Sequence, residues 1–186
     1  AMSEQRRIPL DERGMPVRQQ DAADEPGPPA ECACPRLDPE EWDAVESDWS
    51  DIAFVKTMTS AVLGVPVGFD SARGELRKKA ERMGATIPAD PMLLIGPGKF
   101  RRPILLEVED APERARDIER PGGIVYTRLL PAPWGELPKA AEQVRKEAFE
   151  RYGRDPDDLW VWYLTCRECS RERNFETLLV AHYRQA

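Results

Sequence analysis

Four cysteines fall into two close pairs, Cys32 with Cys34 in C-A-C and Cys166 with Cys169 in C-R-E-C, and the chain has no others. At either spacing one turn can bring two thiolates onto one ion. Together the pairs supply four soft sulphur ligands, the donor set that closes a tetrahedron around Zn²⁺. Such a four-cysteine site is structural, and it leaves no thiol to act as a nucleophile. A disulfide pair, a redox dithiol and an iron–sulphur cluster are the alternatives that the same spacing leaves open.

The other candidates for chemistry are few. His182 is the only histidine, which excludes a multi-histidine catalytic metal site and leaves it as a strand position. Glu107 stands inside the apolar run ILLEVED, where strand alternation groups it with Leu105 and Glu109 and opposite Ile104, Leu106 and Val108. On a face that lines a cleft, Glu107 is the best carboxylate for deprotonating water, with Glu109 as the fallback; on a solvated face it has no such role. Tyr163 is the candidate proton donor. Tyr126, Trp134, Trp160, Trp162 and Tyr163 offer more aromatic surface than one hairpin core needs, and Tyr126, Trp134 and Trp162 are read as ligand-binding. Gly96-Pro97-Gly98 lacks the strand-to-helix setting of a phosphate loop and reads as a turn.

These residues need elements to hold them. Runs 159–164 and 175–183 are rich in aromatic and branched residues and flank a polar connection, so they predict an antiparallel hairpin with Cys166 and Cys169 at its tip. Residues 71–85 predict a helix with the stripe Leu76, Ala80, Met83 and a terminal Gly84. Residues 134–153 predict a second, with Leu137, Ala140, Ala141, Val144 and Ala148 ending at Gly153. Residues 52–69 read as extended chain with a bend near Gly64 and Pro66, while 91–96 and 103–110 read as a strand pair. Strand, helix, strand, strand thus occurs twice, in about 52–110 and about 123–184, which predicts an α+β fold with antiparallel sheet, two β-α-β-β repeats and a domain over 51–186.

Ahead of it lies an arm, 1–50, with the C-A-C pair and a short helix capped by Asp38 with Pro39 at its first position. Trp42, Val45 and Trp49 follow near helical spacing and are expected to dock this segment on the sheet. Residues 1–31 carry too few apolar side chains to bury a face, so order there depends on Cys32 and Cys34 pinning the arm to the hairpin tip.

A formal net charge of −7 removes the long-range attraction to phosphate on which general nucleic-acid binders rely, so no nucleic-acid partner is expected. The start lacks a signal peptide's apolar core and no run reaches membrane-spanning length, so no membrane partner is expected and the setting is read as cytoplasmic.

Residues from about 54 to 183 resemble the gyrase-inhibitor-like (GyrI-like) superfamily. The likeness is carried by Ala132-Pro133-Trp134 after a strand, Glu136-Leu137-Pro138-Lys139-Ala140 opening a helix, and Tyr163 on the following strand. The resemblance implies two repeats about a pseudo-twofold axis and a central aromatic-lined cleft for a hydrophobic small molecule. It also implies, for some stand-alone members, hydrolysis of strained rings in electrophilic compounds. Many relatives carry Glu where this chain has Val161. The added C-x-C and C-x-x-C pairs resemble a bacterial branch of that superfamily. The functional expectation is a small-molecule-binding protein, with hydrolase chemistry at Glu107, and the alternatives are a non-catalytic ligand-binding module or a protein-interaction protein.

Overall fold

The computed structural model describes residues 32–133 and 135–185. The expectations placed on residues 1–31 and on Trp134 lie outside the described residues. By backbone contacts the chain divides into Ala1–Ala33 and Cys34–Ala186, and every element below belongs to the second unit.

The elements are α1 (Pro39–Trp42), β1 (Val45–Asp48), β2 (Ala53–Val62), β3 (Val65–Val67), α2 (Phe69–Met83), β4 (Leu93–Ile95), β5 (Arg101–Val108), β6 (Ile118–Glu119), β7 (Ile124–Pro131), α3 (Leu137–Tyr152), β8 (Asp158–Tyr163) and β9 (Glu176–Tyr183). The described residues build one nine-stranded sheet in the order β1-β7-β9-β8-β4-β5-β2-β3, with β6 on β2, and its pairings are antiparallel. This is the α+β fold that the sequence predicts.

The repeats are related residue by residue. The central pairing is Ile95 with Val161, so a twofold at that point maps β4 onto β8, β5 onto β9 and β2 onto β7. The registers obey it: Leu94 faces Leu105 as Trp160 faces Val180. In the helices, Ala72, Leu76 and Ala80 of α2 are buried at the same spacing as Ala140, Val144 and Ala148 of α3. Both helices end at a left-handed glycine, Gly84 with φ 70° and Gly153 with φ 71°, where a Cβ would be strained.

α2 packs with Ala53, Val55, Ile104 and Leu106, and α3 with Tyr126, Leu159, Val161 and Leu179. Strand alternation turns the residues between these toward the other face. There Phe54, Leu94, Leu105, Val125, Trp160, Trp162, Leu178 and Val180 form a second layer, closed by Leu37, Trp42, Trp49 and Ile52. Trp49 stacks on Trp160 at 5.7 Å between ring centroids, and Trp42 meets Trp162 edge-on at 6.1 Å. The tryptophans do dock the arm segment, but not along one helix. α1 stops at Trp42 because Asp43 Oδ1 accepts from Arg128 Nε at 2.8 Å and from Leu129 N at 3.0 Å. Ala44 then takes φ 58°, and Val45–Asp48 runs on as an edge strand against β7.

The bend near Gly64 is also sharper than predicted. Leu63 and Gly64 both have positive φ, 51° and 83°, the two-residue turn that joins right-twisted strands. It folds β3 back on β2, and Pro66 falls on the sheet's outermost strand, where its missing N–H is harmless.

Candidate functional site

The cysteine site starts at the end of β8. Residues 164–175 are wound into successive turns: Ser170 N donates to Cys166 O at 3.1 Å, Arg173 N to Cys169 O at 3.0 Å, and Phe175 N to Ser170 O at 2.7 Å. These bonds aim Cys166 and Cys169 at one point, with their Sγ atoms 3.8 Å apart. The Sγ atoms of Cys32, Cys34, Cys166 and Cys169 all lie within 4.8 Å of one another. The four cysteines expected to act together are therefore brought together, in an arrangement that could hold a metal.

Arg173 supports this site, and nothing in the sequence pattern singles it out. Its side chain is buried. Nη1 donates to Leu164 O at 3.0 Å and Nη2 to Pro35 O at 2.8 Å, while Glu176 Oε2 accepts from Nε at 3.2 Å. The guanidinium also stands beside the Cys169 sulphur. One side chain thus ties β8, β9 and the backbone next to Cys34 around the thiols.

The carboxylate site lies in the first repeat. Glu107 is half-buried on β5, opposite Phe54, and its Oε2 accepts from Met92 N at 2.9 Å. Together with Asp51, Glu109, Asp110 and Arg120 it lines a cleft of about 430 Å³. Burial pushes the Glu107 carboxyl above the usual carboxylate range; the Met92 N–H opposes this and the charge of Glu109 adds to it. Arg120 is fixed by donating from Nη2 to Ala111 O at 2.9 Å.

The other predicted residues are placed elsewhere. Tyr163 lies on the helix-bearing face with Val161, whereas Glu107 lies with Leu105 on the tryptophan face, so the sheet stands between them. Trp162 is buried against Trp42, and Tyr126 is buried beside Tyr152. His182 is a core residue: Nε2 lies 2.8 Å from Gly122 O, and the ring stacks on Trp160 at 4.8 Å. Among the described residues, no helix is long and apolar enough to cross a membrane.

The sequence model of a family described as bacterial hydrolase matches residues 23–181, which takes in the cysteines, Glu107, the first repeat and all but the last residues of the second. The chain belongs to that family. No curated protein matches it in sequence.

Proposed function

We propose that this family member is a hydrolase of hydrophobic or electrophilic small molecules, with Glu107 as general base and a structural zinc at Cys32, Cys34, Cys166 and Cys169. The observation that carries the reading is the half-buried Glu107 carboxylate, held at one oxygen by Met92 N and facing a cleft, in a chain of a hydrolase family. The paired β-α-β-β repeats support the finer GyrI-like relationship.

With Oε2 engaged by Met92 N, Oε1 is the oxygen left to take a proton from water. Burial brings that carboxyl nearer to general-base strength at neutral pH. The resulting hydroxide adds to the electrophilic carbon of an ester or strained ring. Charge that develops on the leaving atom faces Arg120, and the proton returns from Glu107 to that atom when the bond breaks.

The donor set fits zinc. Four thiolates about 2.3 Å from a tetrahedral centre stand about 3.8 Å apart, and the Cys166–Cys169 separation is 3.8 Å. Zinc there would supply folding energy and no open coordination position for substrate.

The test is a panel of aryl esters and strained-ring compounds, with products read by mass spectrometry. Glu107→Gln is expected to lower turnover by roughly 10²- to 10⁴-fold with the fold intact. Turnover unaffected by this change would discard the mechanism, and saturable binding without turnover would favour a ligand-binding module.

A further inference from the structure

Beyond Lys56, β2 alternates strictly: Thr57, Thr59 and Ala61 are buried on the helix-bearing face, and Met58, Ser60 and Val62 are exposed on the tryptophan face. β3 adds Val67 opposite Ser60 and Val65 opposite Val62, on that same face. Backbone bonds set two turns side by side at the end of these strands, Ala61 N donating to Phe100 O at 2.7 Å and Gly64 N to Lys99 O at 3.3 Å. The two turns carry Phe100, 78% exposed, and Leu63, 95% exposed. Met58, Val62, Leu63, Val65, Val67 and Phe100 thus form one apolar patch on the outer strands of the first repeat, away from the junction of the repeats.

The second repeat shows what this face looks like when it is covered. Lys56 pairs with Leu105 as Thr127 pairs with Val180, so the repeat relation maps Met58 onto Leu129. Leu129 is packed into the layer that Leu37 and Trp42 close, whereas Met58 is exposed. The bare patch amounts to roughly 500–600 Å² of apolar side chain, the upper end of what a monomer leaves open. With its polar flanks it approaches the roughly 800 Å² per partner of a stable interface. Sheet extension does not provide the cover: Pro66 lies on the outermost strand, between Val65 and Val67, and lacks the N–H that an added strand would need. The contact is therefore made by side chains, face to face.

We propose that this patch is the interface of a twofold-symmetric homodimer, in which a second copy of the chain covers it with its own patch. In such a pair a residue near the axis meets its own counterpart. Apolar side chains tolerate this, and a centre of one charge sign would not. The flanks carry both signs. Arg101, exposed and paired across to Ser60, and Lys99 stand on the β5 side. Asp70, with its side chain 99% exposed, stands just past β3 in the first turn of α2. A twofold axis along the strands exchanges the β5 side of one copy with the β3 side of the other, so cation meets acid at both ends of the contact. The interface is independent of whether Glu107 is a catalytic base.

The test is analytical ultracentrifugation of the full chain over a dilution series. A dimer is expected, with a dissociation constant in the micromolar range or below. Val67→Glu should leave a monomer, because it places a charge in the covered patch, and Phe100→Ser should weaken association roughly tenfold. Should Val67→Glu not fold, Phe100→Ser, in an exposed turn, decides. Arg101→Glu should also weaken association roughly tenfold, and adding Asp70→Lys should restore it. Phe149→Ser, at an exposed apolar residue of α3, should associate as the unaltered chain does. The proposal is overturned by a monomer at about 100 μM, by a dimer that Val67→Glu and Phe100→Ser leave intact, by dimerisation lost in Phe149→Ser, or by no recovery in the charge-swapped pair. A monomer that binds an apolar dye at the patch would assign the face to a different protein and overturn it equally.

Discussion

Glu107 and His182 occupy equivalent positions of the two repeats: Glu107 bonds across to Met92 as His182 pairs across to Asp158, one register step from Leu93–Leu106 and Leu159–Ala181 respectively. Both side chains point to the tryptophan face, and their surroundings differ. His182 is sealed, 1% exposed, between Trp160, Gly122 and Asp158. Glu107 opens onto a cleft with Glu109, Asp110 and Arg120. One backbone position thus yields a packed core ring in one repeat and an accessible, desolvated acid in the other. The connections differ in the same way. The β4–β5 turn of the first repeat is short, whereas residues 164–175 of the second are wound around thiols. Repeat two supplies Cys166 and Cys169 to the candidate metal centre, and repeat one carries the candidate chemistry.

The largest break in this comparison should come from the metal centre. Cys166→Ala removes a ligand supplied by repeat two, and the binding energy of a structural metal is folding energy, so a loss of several kcal/mol is expected. Metal content by elemental analysis should fall with it, and hydrogen exchange should quicken first in β8 and β9. A purified protein with less than about a tenth of an equivalent of metal, or unchanged stability in the variant, would remove the zinc reading.

Next in size is Trp49→Ala. Trp49 contacts repeat two through Trp160 and repeat one through Phe54, at 5.7 Å and 5.6 Å between centroids, so it secures the tryptophan face of both. Truncating a large buried aromatic costs about 3–5 kcal/mol, to be read from urea unfolding with metal content unchanged. A cost below about 1 kcal/mol would mean that the two halves do not depend on this cover.

What is legible in the sequence follows from which signals are local. Leu76 and Ala80, or Val144 and Ala148, repeat at the helical period and end at a glycine, so α2 and α3 can be placed from local pattern alone. The β8–β9 hairpin is similarly local, and the cysteine grouping is readable because paired thiols have few other uses. β1 is not readable. Trp42, Val45 and Trp49 fit a helical stripe, and only Arg128 and Leu129, remote in sequence, draw Asp43 out of the helix. β6 has two residues, too few for any period. Arg102 and Arg173 look like solvated charges in sequence, and it takes the carbonyls of Gly64, Gly96, Leu164 and Pro35 to make them interior struts. Alternation finds Glu107, but that Tyr163 lies across the sheet from it depends on how the repeats join.

The smallest expected effect sharpens the Glu107–His182 contrast, and it concerns stability rather than turnover. Burial raises the Glu107 pKa above its ordinary value, with Glu109 adding to the shift, so the folded chain binds this proton more tightly than the unfolded chain does. The associated stability is fully present below the unfolded carboxyl pKa and is lost as pH rises through the folded one. Glutamine at this position keeps an oxygen for the Met92 N–H and carries no charge to desolvate. Glu107→Gln should therefore gain in melting temperature relative to the unaltered chain on going from about pH 4 to pH 7, as scanning calorimetry across that range would show. A relative loss over the same interval would mean that the Glu107 carboxylate is stabilised by a cationic neighbour, with Arg120 the cation lining its cleft. The acid would then be too weak a base for the water-activating role, and the difference between the repeats would reduce to packing alone.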